Sequence, residues 1–476
     1  MPSPFSRELT ALVGADYVVD DRDVRAGYEV DWTGRFRGTA TAVVRPGSTE
    51  EVAALVEWCA SRGVALVPQG GNTGLVGGGI PTGDAEGAVV LSTRRLDRLE
   101  PVDVLAGQVT TGAGVTLARI HEHAAAAGWA FGVDLGARDT ATIGGMVATN
   151  AGGIRVLRHG PMRAQLLGVE AVLGIGAVVR HLGGLVKDNT GYDLGGLLVG
   201  SEGTLGIVTA ARLRLVPLQP DRIVVLAGVP TLGEAMALVA ELRASVDGLD
   251  AIEAILGDGL DLACDQLGLS RPFAEPAGVA LLAEWAGHGE PPDAFAKALA
   301  PYPSAAATDA AGRAALWRYR EEFALAIARL GVPHKLDVTL PAAALAAFVA
   351  ALPDVVAAAA PDGRLHLFGH LGDGNLHVNV TGVDPDDEAV DDTVLRLVAE
   401  FGGSISAEHG VGRAKAPWLW LSRSPAELAA FAAIKRALDP AGILNPGVVL
   451  GGGQSAASGL AVRRRATEEP IAERSE

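Results

Sequence analysis

The chain has 476 residues, 49% of them hydrophobic and 20% charged, which allows about two or three domains with a sizeable core. The formal charge of −17 excludes nucleic acid as a natural partner, because phosphate binding needs a basic face. Two cysteines, Cys59 and Cys264, exclude a disulfide framework and suit a reducing compartment.

The N-terminus, MPSPFSRELTALVG, has no basic segment followed by a long apolar run, so no secretory signal is read and a cytoplasmic location is the expectation. Residues 1–35 read as a helical segment. Residues 41–45 (TAVVR) read as a strand. Ser48 and Glu51 then form a capping box, Val52, Leu55, Val56 and Cys59 follow at helical spacing, and Gly63 closes the helix. Residues 64–67 are the next strand, so the chain opens as a strand–helix–strand unit. Residues 36–217 are glycine-rich, with apolar strands between tight loops, and are read as one domain. The helical stretch Leu232–Ser245 begins a second domain, residues 218–402, which is Ala-rich and ends in a hairpin near 365–380. Within it, residues 342–352 are the most membrane-like stretch. They are short and bounded by Pro341 and Pro353, which predicts a buried helix and no integral membrane segment. Residues 403–450 are again marked by Gly and Pro. Residues 451–476 read as a disordered tail, with Arg463 to Arg465 as a solvated charge run. No internal repeat is found.

Gly112 and Gly114 follow a plausible strand and precede a helix, with Asp134 further on, which imitates a nicotinamide-dinucleotide fingerprint. The third glycine position holds Leu117, whose bulk would prevent close helix–strand packing, so the pair reads as an ordinary turn. Residues 68–79 (PQGGNTGLVGGG) are different. Six glycines in twelve residues let the backbone reach positive φ and approach a ligand closely. Successive N–H groups there can form a nest for a pyrophosphate. No Gly-Lys-Ser/Thr follows, so this is not a P-loop.

Two similar segments follow: Asp134-Leu-Gly with residues 142–153 (TIGGMVATNAGG), and residues 200–209 (GSEGTLGIVT). In this order and spacing, with residues 187–193 (KDNTGYD), they resemble the FAD-binding domain of the vanillyl-alcohol oxidase and p-cresol methylhydroxylase type over about residues 36–217. The resemblance implies that Pro68, Gly70, Gly71, Asn72, Thr73, Gly74 and Leu75 wrap the FAD pyrophosphate. It implies that Asp134, Thr142, Gly144, Gly145, Thr149, Asn150, Gly153, Glu202, Gly203, Gly206, Ile207 and Val208 line the flavin and adenine. Some relatives attach FAD through a His in the first loop. Here that position is Asn72 and the loop has no His or Cys, which implies non-covalent FAD. Residues 173–178 (LGIGAV) depart from the Asp-Gly hairpin of relatives, a change confined to a surface turn.

Residues 365–380 (LHLFGHLGDGNLHVNV) read as two strands around an Asp373-Gly374 turn. Across such a hairpin His370 and His377 can converge, and His377 and Asn379 share a face. Glu408 and His409 follow about 30 residues later. Two His and a carboxylate make a metal set with an open position for substrate. GHLGDGNLHVNV and SAEHGVGRAK resemble the C-terminal signatures of FAD-linked D-2-hydroxyacid dehydrogenases, the group of D-2-hydroxyglutarate dehydrogenase, flavin-type D-lactate dehydrogenase and the glycolate oxidase catalytic subunit. The resemblance implies His370, His377 and Glu408 as metal ligands, His409 as catalytic base and Asn379 as a substrate-side group. It implies that residues 439–447, with Asn445, return to the flavin. His366 falls on the same hairpin face, matches no family ligand, and is read as supporting the ligands from behind or as packing.

Residues 317–321 (WRYRE) and 334–337 (HKLD) resemble the family's substrate-anchoring region. This places Arg320 and Lys335 on carboxylate-binding positions, where Arg suits a bidentate clamp. A hydroxylated residue is expected four positions after that Arg in enzymes of hydroxyglutarate. Here the position holds Ala324, which leaves shorter or more apolar 2-hydroxy acids open. The expected fold class is therefore α+β: a two-subdomain FAD-binding domain of the p-cresol methylhydroxylase type plus an α+β substrate (cap) domain with an antiparallel sheet. The expected function is FAD-dependent oxidation of a small D-2-hydroxy acid, with a divalent metal, zinc being favoured by the ligand set and manganese and iron remaining open. An oxygen-using oxidase and a non-catalytic flavin subunit are the alternatives. An electron-transfer flavoprotein, a quinone or a cytochrome is the expected acceptor, and a homodimer the suggested assembly.

Overall fold

In the computed structural model, residues 5–81 and 87–451 are described; apart from Gly451, the tail expected to be disordered lies outside the described residues. The Ser48 hydroxyl accepts from Glu51 N, and the helix Thr49–Arg62 buries Val52, Leu55, Val56 and Cys59 before Gly63 ends it at φ 64. The reciprocal half of the capping box falls one residue early, because the Glu51 carboxylate accepts from Gly47 N at 2.7 Å. This helix packs between parallel strands. The first sheet runs in the order Val18–Val19, Ala42–Val44, Val89–Ser92 and Leu66–Gln69, with only the first pairing antiparallel. The N-terminal segment is thus not purely helical. Besides the helices Ser6–Val13 and Arg22–Arg25, it supplies an edge strand from two β-branched residues.

The second sheet is antiparallel, in the order Gln108–Gly112, Gly206–Arg214, Leu166–Leu173 and Val178–His181. Gly112 and Gly114 sit against backbone: a Cβ on them would meet Leu96 O at 2.1 Å and Thr93 O at 2.4 Å. Leu117 is buried at the start of the helix Leu117–Ala126. Close chain packing accounts for this glycine pair, with no dinucleotide fingerprint.

A seven-stranded antiparallel sheet follows, in the order Ser304–Ala307, Asp221–Val229, Val279–Gly287, Leu249–Leu256, Arg364–His370, Asn375–Thr381 and His334–Thr339. Strand alternation divides it. One face, with Ile252, Ala254, Leu281, Leu336, Leu367, Val378 and Val380, joins a core with residues of the helices Leu232–Ser245, Ala342–Ala359 and Ala389–Glu400. The other face, with Ala251, Ile255, Ala280, Leu282 and Phe368, packs on Trp317, Tyr319, Phe323 and Ile327. Toward the edge strand, this second face turns polar and meets the glycine-rich loops.

The helix expected over 342–352 runs Ala342–Ala359, straight through Pro353. It is not a buried helix: Leu345, Phe348, Leu352 and Val356 are buried, whereas Pro353 and the alanines opposite face solvent. One buried anchor per turn offsets the hydrogen bond that proline removes. Its length and apolarity meet the requirement for crossing a membrane. At the C-terminal end, the helix Pro425–Leu438 starts with a complete Ser424–Glu427 capping box. The chain then returns to the first sheet, where Leu66 N donates to Ile443 O and Asn445 N to Leu66 O. The architecture is α+β.

Candidate active site

The glycine-rich loops and the polar face of the large sheet enclose one cavity of about 590 Å³. Its wall includes Pro68, Gly70, Gly71, Asn72, Thr73, Gly74, Leu75, Thr142, Gly144, Gly145, Thr149, Gly153, Glu202, Gly203, Gly206, Ile207 and Val208. Three residues expected beside them are absent from that wall. The Asp134 carboxylate is held by Arg138 and Arg155. Asn150 ends the helix Ile143–Thr149 at φ 51 and accepts from Arg163 N. Asn445 donates to Gly78 O and Glu202 O, tying two loops together. These three frame the cavity from behind.

The loops fit a large polar ligand. A Cβ on Gly71 would stand 1.8 Å from Thr140 O, and one on Gly70 would stand 2.3 Å from Thr142 Oγ1, so only glycine permits this approach of the two loops. Thr93 Oγ1 and Thr142 Oγ1 are buried with no protein partner among the described residues, and both residues line the cavity. Buried hydroxyls rarely stay unpaired, and together with the loop amides they suit the diphosphate and ribityl oxygens of FAD.

The opposite wall comes from strand register. Phe368 pairs with His377 and His370 with Asn375, while Lys335 pairs with Asn379 and Asp337 with His377. Alternation therefore sets Lys335, Asp337, His377, Asn379, His366, Phe368 and His370 on one face. The rings of His370 and His377 come within 5.3 Å of each other. Glu408 enters from the following segment: its Oε1 lies 3.1 Å from His370 Nε2, 3.6 Å from His377 Nε2 and 3.8 Å from His409 Nε2. The His409 ring stacks on His377 at 5.1 Å, and His409 Nδ1 has no partner among the described residues. His366 turns aside to bond Thr381 Oγ1.

A second grouping, Asp337, His377, Glu408 and His409, also lies close enough for a cation. Asp337 is already committed, however. Its Oδ2 accepts from the backbone N–H groups of Ala407, Glu408 and His409 at 3.0, 2.8 and 2.9 Å, and its Oδ1 accepts from Asn375 Nδ2 at 2.8 Å. In the set of His370, His377 and Glu408, the carboxylate oxygen Oε1 faces both imidazole Nε2 atoms, at 3.1 and 3.6 Å, and two imidazoles with a carboxylate are a donor set suited to a divalent ion. Sequence reading gave no role to Asp337 or to Glu253. Glu253 Oε1 meets His370 Nδ1 at 2.6 Å and its Oε2 meets Arg320 Nε at 2.7 Å. The available signal was an acid at a buried strand position in each case, Glu253 in LDAIEAIL and Asp337 in HKLDVT.

Electrostatics follow this geometry. Burial alone would raise the Glu408 carboxyl, but the charge and hydrogen bond of His370, with His377 and His409, outweigh it and hold Glu408 well below the usual range. Burial would lower His370, but Glu253 and Glu408 raise it well above the ordinary value. His377 is pushed down to about 4, chiefly by burial, and burial likewise lowers His409. Lys335 lines the cavity with no carboxylate partner among the described residues; Trp32 lies 5.3 Å from its ammonium, and burial pushes it down to about 8. Arg320 lies 4.6 Å over the Phe368 ring, and Ala324 and Leu325 form an apolar patch of wall beside it.

Residues 40–181 match the family described as FAD binding domain, and residues 218–449 match FAD linked oxidases, C-terminal domain. The chain belongs to the FAD-linked D-2-hydroxyacid dehydrogenase family, with a p-cresol methylhydroxylase-type FAD-binding domain. It is 39% identical over 436 residues to D-2-hydroxyglutarate dehydrogenase of Xanthomonas citri pv. viticola, covering 88% of this chain and 91% of that one. It is 37% identical over 467 residues to the mitochondrial D-2-hydroxyglutarate dehydrogenase of Bos taurus, covering 93% and 84%. Solved structures share the fold: an alkyldihydroxyacetonephosphate synthase at TM-score 0.71 and 18% identity, covering 93% and 84%. The 4-ethylphenol oxidase of Gulosibacter chungangensis superposes at TM-score 0.69 and 19% identity, covering 93% and 95%.

Proposed function

We propose that this protein oxidises a small D-2-hydroxy acid to the 2-oxo acid, using non-covalent FAD and a divalent metal, zinc by preference. The observation that carries this reading is the shared cavity: the glycine-rich loops form one wall, and His370, His377, Glu408 and His409 stand on the other. Relatives at 39% and 37% identity carry the name D-2-hydroxyglutarate dehydrogenase, which supports the substrate class.

Oxidation at a hydroxyl-bearing carbon sends a proton from oxygen and a hydride from carbon to different acceptors. Bound FAD supplies the hydride acceptor, and a divalent ion held by His370, His377 and Glu408 supplies the positive charge that lowers the hydroxyl pKa. The remaining work is done by side chains. Lys335, without a protein counter-ion among the described residues, and Arg320 hold carboxylate. Asn379, buried opposite Lys335 and two positions from His377 on the same strand, offers a polar contact. His409 Nδ1 or Nε2 takes the hydroxyl proton, an imidazole being the natural base near neutrality. The apolar surfaces of Leu135, Ile154 and Leu336 in the wall keep water out.

The test is anaerobic reduction of the visible flavin band by D-2-hydroxyglutarate, D-lactate and their L forms, with and without EDTA. Bleaching by a D acid, prevented by EDTA and restored by zinc, is the expected result. A yellow protein that no 2-hydroxy acid bleaches would overturn the substrate class.

A further inference from the structure

We infer that Glu253 is a shared positioning residue, one carboxylate that orients the metal-facing His370 with Oε1 and the substrate-facing Arg320 with Oε2, so that metal and substrate binding are coupled through it. The inference rests on the functional reading above and assigns a role to a residue outside the ligand set.

The placement is written into the sheet. Leu249–Leu256 pairs with Arg364–His370 through Ala254 with Gly369 and Ile255 with Phe368, and continuing that register sets Glu253 directly opposite His370. Glu253 Oε1 lies 2.6 Å from His370 Nδ1. A hydrogen bond there fixes the ring tautomer and leaves Nε2 facing Glu408 at 3.1 Å. Glu253 Oε2 lies 2.7 Å from Arg320 Nε, an ion-pair contact outside hydrogen-bond alignment, so here it is charge that holds the guanidinium. Arg320 comes from the helix Ala310–Glu321, which crosses this face, and its guanidinium is fixed a second time over Phe368.

Glu253 is 1% exposed, and a buried carboxylate is costly unless it is paired and hydrogen-bonded. Once His370 ligates an ion through Nε2 it is neutral, and Arg320 is the cation left to balance Glu253. Removing Arg320 then weakens Glu253 as an acceptor for His370 and loosens the ion. By linkage, anything that turns His370 disturbs Arg320. A role in packing alone would require no such reciprocity.

The test uses the full-length flavoprotein and the variants Glu253→Gln and Arg320→Gln. Zinc-loaded proteins are dialysed against graded EDTA without any substrate, and residual zinc and FAD are measured in the same samples. Glu253→Gln is expected to lose half its zinc at an EDTA concentration about 10- to 100-fold lower than the unmodified protein, with FAD per chain unchanged. Arg320→Gln, a substitution on the substrate side, is expected to shift zinc loss in the same direction by about fivefold. With zinc restored in excess, Glu253→Gln is expected to raise KM more than it lowers kcat.

Unchanged zinc retention in Arg320→Gln overturns the coupling, as does unchanged zinc retention in Glu253→Gln. If Glu253→Gln fails to retain FAD, Arg320→Gln decides the question alone. A flavin that no 2-hydroxy acid reduces in the unmodified protein refutes the functional reading. The zinc measurements contain no substrate and then still decide the coupling.

Discussion

Replacing Asp337 by Asn tests whether one buried carboxylate holds the segment that carries Glu408 and His409. Asp337 is 0% exposed and Lys415, 3.8 Å from its Oδ2, is 2% exposed. Three backbone N–H groups converge on that Oδ2 and the Asn375 amide donates to Oδ1. A carboxamide keeps one neutral acceptor and aims its own N–H₂ at donors on the other side. Hydrogen bonds to a charged acceptor contribute about 1.5–3 kcal/mol each, and stranding a buried cation costs about 3–5 kcal/mol. These effects share one oxygen and do not add, so the expected loss is about 4 kcal/mol, large against a total of about 5–15 kcal/mol. The predicted phenotype is a clearly lower urea midpoint by circular dichroism, with less metal per chain and slow flavin reduction in the protein that remains folded. FAD should stay bound, because the glycine-rich loops do not contact Asp337. An Asp337→Asn protein within about 1 kcal/mol of the parent, with full metal content, would refute the anchoring argument.

His409→Ala should keep FAD and metal while slowing anaerobic flavin reduction by about 10²- to 10⁴-fold, the usual contribution of a positioned base; full-rate reduction would remove His409 from proton transfer. Gly71→Ala should yield protein with little flavin, read as the ratio of visible to ultraviolet absorbance, because the new Cβ would stand 1.8 Å from Thr140 O; normal flavin content would show that the loops can separate freely. Burial sets Lys335 at about 8, so its ammonium is present below that pH and lost above it, and KM should rise as pH passes through about 8. Lys335→Arg should abolish that step, and a KM in the unmodified protein that is flat across this range would count against Lys335 as the anion contact. Lys335→Met should weaken D-2-hydroxyglutarate more than D-lactate, since only the former has a second carboxylate to lose a partner; equal effects would place Lys335 away from the distal end.

Much of the FAD-binding half was legible because glycine is a backbone statement. Six glycines in residues 68–79 announce a chain that must come close to something, and the close approaches at Gly70 and Gly71 have that origin. What sequence could not supply was the direction of side chains after such loops. Asp134 and Asn150 flank glycines of the same blocks, yet one is claimed by arginines and the other ends a helix. An acid or amide beside a glycine can face the ligand or the frame, and only the packing of distant arginines decides which. The same limit explains the helix Ala342–Ala359: proline ends a helix by local rules, but apolar anchors before and after Pro353 carry it onward.

The cap half shows a sharper asymmetry, and it concerns what period-two patterning encodes. Alternation in residues 365–380 names the face that His370 and His377 share, because their relation is local to one hairpin. It equally places Lys335 and Asp337 on a common face. It cannot say that Asp337 reaches the amides of residues 407–409, about 70 positions later, nor that Glu253, the second of two acids in LDAIEAIL, lies opposite His370. Those contacts depend on which strands become neighbours, and strand order here is not chain order: Leu249–Leu256 lies beside Arg364–His370. The proposed ligands are therefore readable from short motifs, whereas the carboxylates that contact them or their segment are fixed by topology. An acid buried within a sheet costs stability unless a cation or amide cluster meets it. Glu253 and Asp337 each satisfy that condition, and in each case the cluster they meet belongs to the site.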